Sequence, residues 1–239
     1  MMPQIHVVEF YGDFGCFSRP EASVERFSYA VPPHSAARNL MDSIYFHPQF
    51  RWVVHKAELL MEPQWVALRR NEVKEKINLN AVGRFIDGEG VEPILADGDK
   101  ASTGSDEKGR TQRQTMALRN PRYRLHASIE PWPEYRKIQK KYNDIFQRRL
   151  KSGQCFQQPY FGQREFVAYF CQPTDKKPFP MNQELGLMVY DTFDQSRPGS
   201  NESRPSISLF RAELVDGVLD YPAYDSEAVL RPHRSTEAS

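Results

Sequence analysis

Tyr45, with His47 two residues on and Arg38 seven residues back, is the first set of side chains in this sequence that could do chemistry. A phenol can donate or accept a proton, a histidine titrates near neutrality, and an arginine can hold a phosphate through paired N–H groups. The plainer alternative is a boundary tyrosine beside a solvated histidine. A second set is the arginine run Arg110, Arg113, Arg119, Arg122 and Arg124. Arginine outnumbers lysine there, which suits planar, bidentate phosphate binding, although charge runs are commonly solvated faces. A third is Phe166-Val167-Ala168-Tyr169, the second half of an RNA-binding strand motif whose aromatics stack on bases; an ordinary core strand explains it equally well. A fourth is Arg69-Arg70 after Trp65, charge beside an aromatic, which could grip single-stranded nucleic acid.

Other chemistries find no support. The six histidines are dispersed, and the three cysteines, Cys16, Cys155 and Cys171, are too far apart for a metal clip and too few for a disulfide framework. Three reduced thiols, no metal and no cofactor are therefore expected. There is no phosphate-binding glycine loop, dinucleotide fingerprint or nucleophile elbow. Thirty-two basic residues against 31 acids leave a net charge of +1, so any nucleic-acid surface must come from local clustering. The 39% hydrophobic and 12% aromatic content over 239 residues supports a folded core. No apolar run approaches the ~20 residues of a membrane helix, and the first residues lack a signal-peptide layout. The expectation is a prokaryotic cytoplasmic protein without membrane contact.

The elements that must position these residues follow from periodicity. Residues 4–10 read as a strand, and a helix capped by Ser35 runs to about Phe46 with Ala37, Leu40, Met41 and Ile44 on one stripe. On that helix Arg38 and Tyr45 fall within about 20° of each other. Residues 51–61 and 64–70 read as strands joined by a tight turn at Glu62-Pro63. Residues 96–115 lack large apolar side chains and read as a mobile surface loop. A strand at 122–130 precedes a helix over 133–151 whose stripe is Tyr135, Ile138, Tyr142, Ile145 and Phe146, with Gly153 ending it. Between Glu134 and Lys151 there are seven Lys/Arg and two acids, a basic face. Residues 164–171 read as another strand.

This order fits β-α-β-β-α-β, an α+β ferredoxin-like domain over 1–180 that includes the loop near 96–115. A β-rich extension over 181–230 and a disordered tail over 231–239 follow. On that plan the four weak signals together favour RNA binding over a small-molecule enzyme.

Several sequence blocks then carry a specific resemblance. They are Phe10-Tyr11-Gly12-Asp13-Phe14-Gly15-Cys16-Phe17-Ser18-Arg19-Pro20-Glu21, Val24-Glu25-Arg26, Pro33-His34-Ser35-Ala36-Ala37-Arg38 and Ser43-Ile44-Tyr45. Arg69-Arg70-Asn71-Glu72-Val73, Thr111-Gln112-Arg113 and Gly153-Gln154-Cys155-Phe156-Gln157-Gln158-Pro159 complete the set. The chain resembles, over about 5–225, the type I-C CRISPR-associated members of the RAMP superfamily, the fifth Cas protein in its d variant. The resemblance implies metal-independent cleavage of precursor CRISPR RNA at its repeat hairpins. It also implies residence at the 5′ handle of the mature guide RNA, beside the backbone and large subunits of a type I-C Cascade complex. Alternatives are a non-cleaving 5′-handle cap and a general double-stranded DNA binder.

Residue by residue, the family's catalytic tyrosine falls on Tyr45 and its Lys-His pair on Arg119-Asn120. Arginine can stabilise a phosphorane, but asparagine cannot shuttle a proton. His47 and His126 are the nearest histidines that could replace it. The RNA-contacting set expected from the basic positions is Arg19, Arg38, Arg69, Arg70, Arg110 and Arg113.

Overall fold

Alternating apolar positions and short turn signals resolve into the following elements in a computed structural model that describes residues 3–22, 25–91, 93–193 and 207–231. In order they are β1 (Ile5–Tyr11), β2 (Phe14–Gly15), β3 (Arg26–Phe27), α1 (His34–Ile44), β4 (Phe50–Leu59) and β5 (Gln64–Val73). Then come α2 (Leu79–Ile86), α3 (Lys100–Thr103), β6 (Arg110–Arg119), β7 (Arg122–Pro131), a 3₁₀ turn at Pro133–Ile138 and α4 (Gln139–Ser152). The chain continues through β8 (Tyr169–Cys171), β9 (Gln183–Asp191), β10 (Ser208–Leu214), β11 (Val218–Asp220) and β12 (Val229–Leu230).

The central sheet runs β8-β1-β7-β4, wholly antiparallel, with β11 added beside β4. With α1 joining β1 to β4 and α4 joining β7 to β8, this is the ferredoxin-like order. One face carries Val8, Phe10, Trp52, Leu125, Ala127 and Ile129 against Leu40, Met41 and Ile44 of α1 and Tyr142, Phe146 and Leu150 of α4, all buried. Burying each such side chain contributes roughly 1.5–3 kcal/mol, which is what seats the two helices. His6 lies in this core with both ring nitrogens satisfied at 2.8 Å by Asn143 and Gln147, and burial lowers its pKa. It is a satisfied core histidine.

The opposite face holds a charge network. Glu9, fully buried, accepts from Arg122 at 2.8 Å, Arg124 at 2.7 Å and the Thr174 backbone N–H at 2.7 Å. Burial alone would raise its pKa; the Thr174 and arginine hydrogen bonds prevail and hold it at about 2. Arg122 and Arg124 of the expected basic run are thereby committed to structure.

Several sequence expectations need correction. α1 begins at His34 behind Pro33, with no side-chain cap from Ser35. It ends at Ile44 because Tyr45 is extended at φ −146° and ψ 105°. Tyr45 therefore does not share a helical face with Arg38. The strands at 51–61 and 64–70 exist, but they do not form a hairpin with each other: β4 stays in the central sheet, and β5 leaves it to pair with β6. Of residues 164–171 only the last three join a sheet as a strand.

The largest difference is at 96–115, which is not one open loop. It contains α3, closed by a capping box at Asp99, and from Arg110 onward it is strand. Ten residue pairs, from Gln64↔Arg119 to Val73↔Arg110, zip β6 to β5. Main-chain hydrogen bonding accounts for most of this arm, so a polar run such as Thr111-Gln112-Arg113-Gln114-Thr115 can be strand without much apolar burial.

In the C-terminal part, β9, β10 and β12 form a second sheet, while β11 returns to β4. Arg38 ties α1 to β9 through Asp191 at 3.0 Å and pairs with Asp42 at 2.8 Å. Of the tail expected at 231–239, Arg231 is described and residues 232–239 lie outside the described residues.

Candidate nucleic-acid interface

Tyr45 sits where α1 stops and the chain turns toward β4. Its backbone carbonyl accepts from the Trp52 indole at 2.9 Å, and its ring centroid lies 5.2 Å from that of Phe50. The Arg149 guanidinium, from α4, covers the ring at 5.0 Å and donates to the Ile44 carbonyl at 2.9 Å, capping α1. Burial raises the pKa of the phenol, with Tyr142 adding to the rise and Arg149 and Arg148 opposing it. The hydroxyl is therefore a proton-bearing donor at neutral pH.

His47 completes this corner. Its Nδ1 accepts the Gln49 N–H at 3.3 Å, which leaves Nε2 to carry the proton in the neutral ring. The ring lies 5.8 Å from Tyr142, whose hydroxyl donates to Gln49. Around the corner, Phe46 and Phe156 are 48% and 60% exposed with ring centroids 5.8 Å apart. Phe156 is held there by its N–H to the Ser43 carbonyl at 2.8 Å. Exposed Arg148, close enough to act on the Tyr45 hydroxyl, adds a second cation beside these rings, the pattern that grips single-stranded nucleic acid.

The other residues proposed for catalysis are elsewhere. Arg119 and Asn120 form the turn from β6 to β7, while Phe50, touching Tyr45, pairs with Pro131 at the far end of β7. A strand from Arg122 to Pro131 spans about 30 Å. Asn120 has φ 49° and donates its N–H to Asp13 at 2.7 Å, so it acts as a left-handed turn residue. His126 is on the sheet face away from the helices, 2.8 Å from Glu58 but outside hydrogen-bond alignment. Burial lowers its pKa, against the pull of Glu58.

The six arginines expected at RNA divide three ways. Arg38 is locked between Asp42 and Asp191. Arg70 and Arg113 share one face of the β5–β6 arm, where Arg70 pairs with Glu165 and Arg113 lies 3.4 Å from Glu72. Arg69 and Arg110 are on the other face, exposed; Arg69 lies four residues along β5 from Trp65, which stacks on Phe27 at 5.0 Å, and Arg110 sits at the far end of the arm opposite Val73. Arg19 covers Phe27 and Tyr29 at 5.0 Å each. Phe27 and Trp65 are 37% and 40% exposed, a second aromatic and cationic platform.

Sequence reasoning missed Arg148, Arg149, Phe46 and Phe156 as site residues. The signal for the cations was the seven-to-two excess of positive charge between 134 and 151. Among the described residues no group of three or more His, Cys, Asp or Glu side chains could hold a metal. The three cysteines are free. No helix is long and apolar enough, among the described residues, to cross a membrane.

The chain is thus a ferredoxin-like α+β protein with an inserted β-arm and two surfaces that combine exposed aromatic rings with cations. A family model described as CRISPR-associated protein (Cas_Cas5) matches residues 6–222, and the chain belongs to this Cas5d family. It is 33% identical to the CRISPR pre-crRNA endoribonuclease Cas5d of Mannheimia succiniciproducens, over 94% of this chain and 97% of that one. The protein of the same name from Thermus thermophilus is also 33% identical, over 94% of each chain. Two solved structures share the fold at TM-score 0.62 and 15% identity. One, titled as a CRISPR-associated protein, matches over 92% of this chain and 93% of its own. The other, a functionally uncharacterized Streptococcus mutans protein, matches over 95% and 97%.

Proposed function

We propose that the protein is a pre-crRNA endoribonuclease that cuts CRISPR repeat RNA without a metal and remains on the 5′ handle of the guide in a type I-C Cascade complex. The observation that carries this reading is the match at 33% identity, over nearly the full length of both chains, to relatives named for that activity. The geometry at Tyr45 supports it by grouping proton donors, cations and exposed rings at one corner.

The reaction suited to such a corner is transesterification. The ribose 2′-hydroxyl gives up its proton as its oxygen bonds to the adjacent phosphorus, the bond from phosphorus to the 5′-oxygen breaks and that oxygen takes up a proton, so the products are a 2′,3′-cyclic phosphate and a 5′-OH with no net change in protons. The nucleophile is already tethered, so in-line alignment supplies much of the rate. Tyr45, proton-bearing, donates a hydrogen bond to a non-bridging phosphate oxygen. Arg149 and Arg148 balance the charge that builds on the phosphorane. His47, beside them, is placed for proton transfer at the leaving 5′-oxygen. Arg119, Asn120 and His126 take no part in the bond-breaking step.

Incubation of the purified protein with repeat RNA in excess chelator tests the reading. Cleavage to cyclic-phosphate ends is expected, with a substrate bearing one 2′-deoxyribose at the scissile position bound and left intact. An RNA left whole at high protein excess supports the non-cleaving cap instead, and activity abolished by chelator overturns the metal-free reaction.

A further inference from the structure

Across the loop from Tyr45, the sheet face opposite the helices holds a cavity of about 570 Å³, within the ~300–1,000 Å³ range of small-molecule sites. Arg51 and His55 of β4 and Ser128 and Glu130 of β7 line it, with Tyr190 and Tyr224 as aromatic walls. Its charges cancel locally. The Arg51 guanidinium is held by Glu130 at 2.7 Å, and Arg136 is matched by Asp225 among the lining residues. No surplus of positive charge marks it as a phosphate site.

What the cavity offers is flat rings and neutral hydrogen-bonding groups. His34, 1% exposed, stacks on Tyr190 with centroids 4.0 Å apart and planes 7° from parallel. Its Nδ1 has no hydrogen-bond partner among the described residues. His55 reaches Ser128 Oγ at 2.9 Å. Burial lowers the pKa of both histidines, His34 to about 4, so both rings are neutral at physiological pH. A buried ring nitrogen without a hydrogen-bond partner is costly and calls for a polar partner. A planar, uncharged heterocycle with ring N–H or amino groups meets each of these features.

The cavity is also tied to the Tyr45 corner. Trp132 donates its indole N–H to the Pro48 carbonyl at 2.9 Å and its backbone N–H to the Gln49 carbonyl at 3.0 Å, fixing the loop between the two sites. Arg51 packs on the other side of that indole at 5.6 Å. We infer that this cavity is a nucleobase subsite, taking one unpaired base of the RNA close to the scissile phosphate and so helping to choose where the repeat is cut. The inference rests on the proposed cleavage reading for its place in the reaction, but base binding can be measured without cleavage.

The test uses AMP, GMP, CMP and UMP, with ribose 5-phosphate as the base-free control, followed by saturation-transfer NMR on the intact protein. At least one nucleotide should bind with Kd of ~0.1–1 mM, and ribose 5-phosphate at least tenfold more weakly. Ala223→Trp, placed at the exposed mouth, should weaken that nucleotide at least tenfold with an unchanged melting temperature. His34→Phe keeps the stacked ring, removes Nδ1 and should blunt the preference among bases. Binding of ribose 5-phosphate equal to that of all four nucleotides, or wild-type binding by Ala223→Trp, overturns the subsite. In repeat RNA, one abasic position near the cut should cost wild type at least tenfold in affinity and cost Ala223→Trp nothing further. Absence of any such position overturns the inference. Nucleotide binding without RNA cleavage would sink the cleavage reading alone.

Discussion

Arg149→Met separates the site at Tyr45 from the positions expected on family grounds. The substitution removes the charge that covers the Tyr45 ring at 5.0 Å and the N–H donated to Ile44 at 2.9 Å. The lost charged hydrogen bond costs roughly 1.5–3 kcal/mol and the cation–π contact about 0.5–1 kcal/mol, partly offset by the packing of methionine. A net loss of about 2 kcal/mol lowers the melting temperature by about 4–8 °C for a chain of this size. The chemical step should lose more, about 10²- to 10³-fold, the range for deleting one preorganised electrostatic group. Arg119→Met is the control, since Arg119 is exposed and about 30 Å of strand away. It should change stability by less than about 0.5 kcal/mol and leave the cleavage rate of the bound complex unchanged. Single-turnover cleavage at saturating protein, well below either melting temperature, reads the chemical step directly. A fast Arg149→Met and a slow Arg119→Met would refute the placement of the reaction.

Glu9, with a pKa near 2 against an ordinary 4.5, stabilises the fold fully above pH 4.5 and loses that contribution as pH falls toward 2. The amount is on the order of 3 kcal/mol, so Glu9→Gln should lower the melting temperature at pH 7 and scarcely change it at pH 2. Arg38→Met should cost about 3 kcal/mol by breaking the Asp42 and Asp191 pairing, yet leave the salt dependence of RNA binding unaltered; a shallower salt slope would show that Arg38 meets phosphate. Five single-strand phosphate contacts by Arg69, Arg110, Arg148, Arg149 and Lys151 predict a log–log salt slope near −3.5, and a slope near zero would mean stacking dominates.

Where burial leaves a periodic trace, the fold was legible. The α4 stripe at Tyr142 and Phe146, the α1 stripe at Leu40, Met41 and Ile44, and the alternation of β7 all match what side-chain pattern demands. The β5–β6 arm was not legible at its polar end. Its strands are specified by pairing with each other, and residues such as Gln112 and Gln114 carry no hydrophobic signal. The end of α1 was misjudged by little, but the two residues mattered, because Tyr45 in extended backbone points away from the Arg38 stripe. Tyr45 stood out in the sequence beside His47 and Arg38, and the fold keeps only His47 at its corner. Arg149 belongs beside it only once α4 is laid across the end of α1, a tertiary fact that spacing along the chain does not encode.

Tyr45→Phe tests the central claim most directly, because it removes one oxygen and keeps the ring that packs on Phe50 and under Arg149. The single-turnover rate on repeat RNA is measured beside the equilibrium affinity for the same RNA. The predicted result is cleavage slower by about 10²- to 10³-fold, the span for losing one transition-state hydrogen-bond donor, with affinity within about twofold of wild type. Cleavage at the wild-type rate would contradict the assignment of the reaction to this corner.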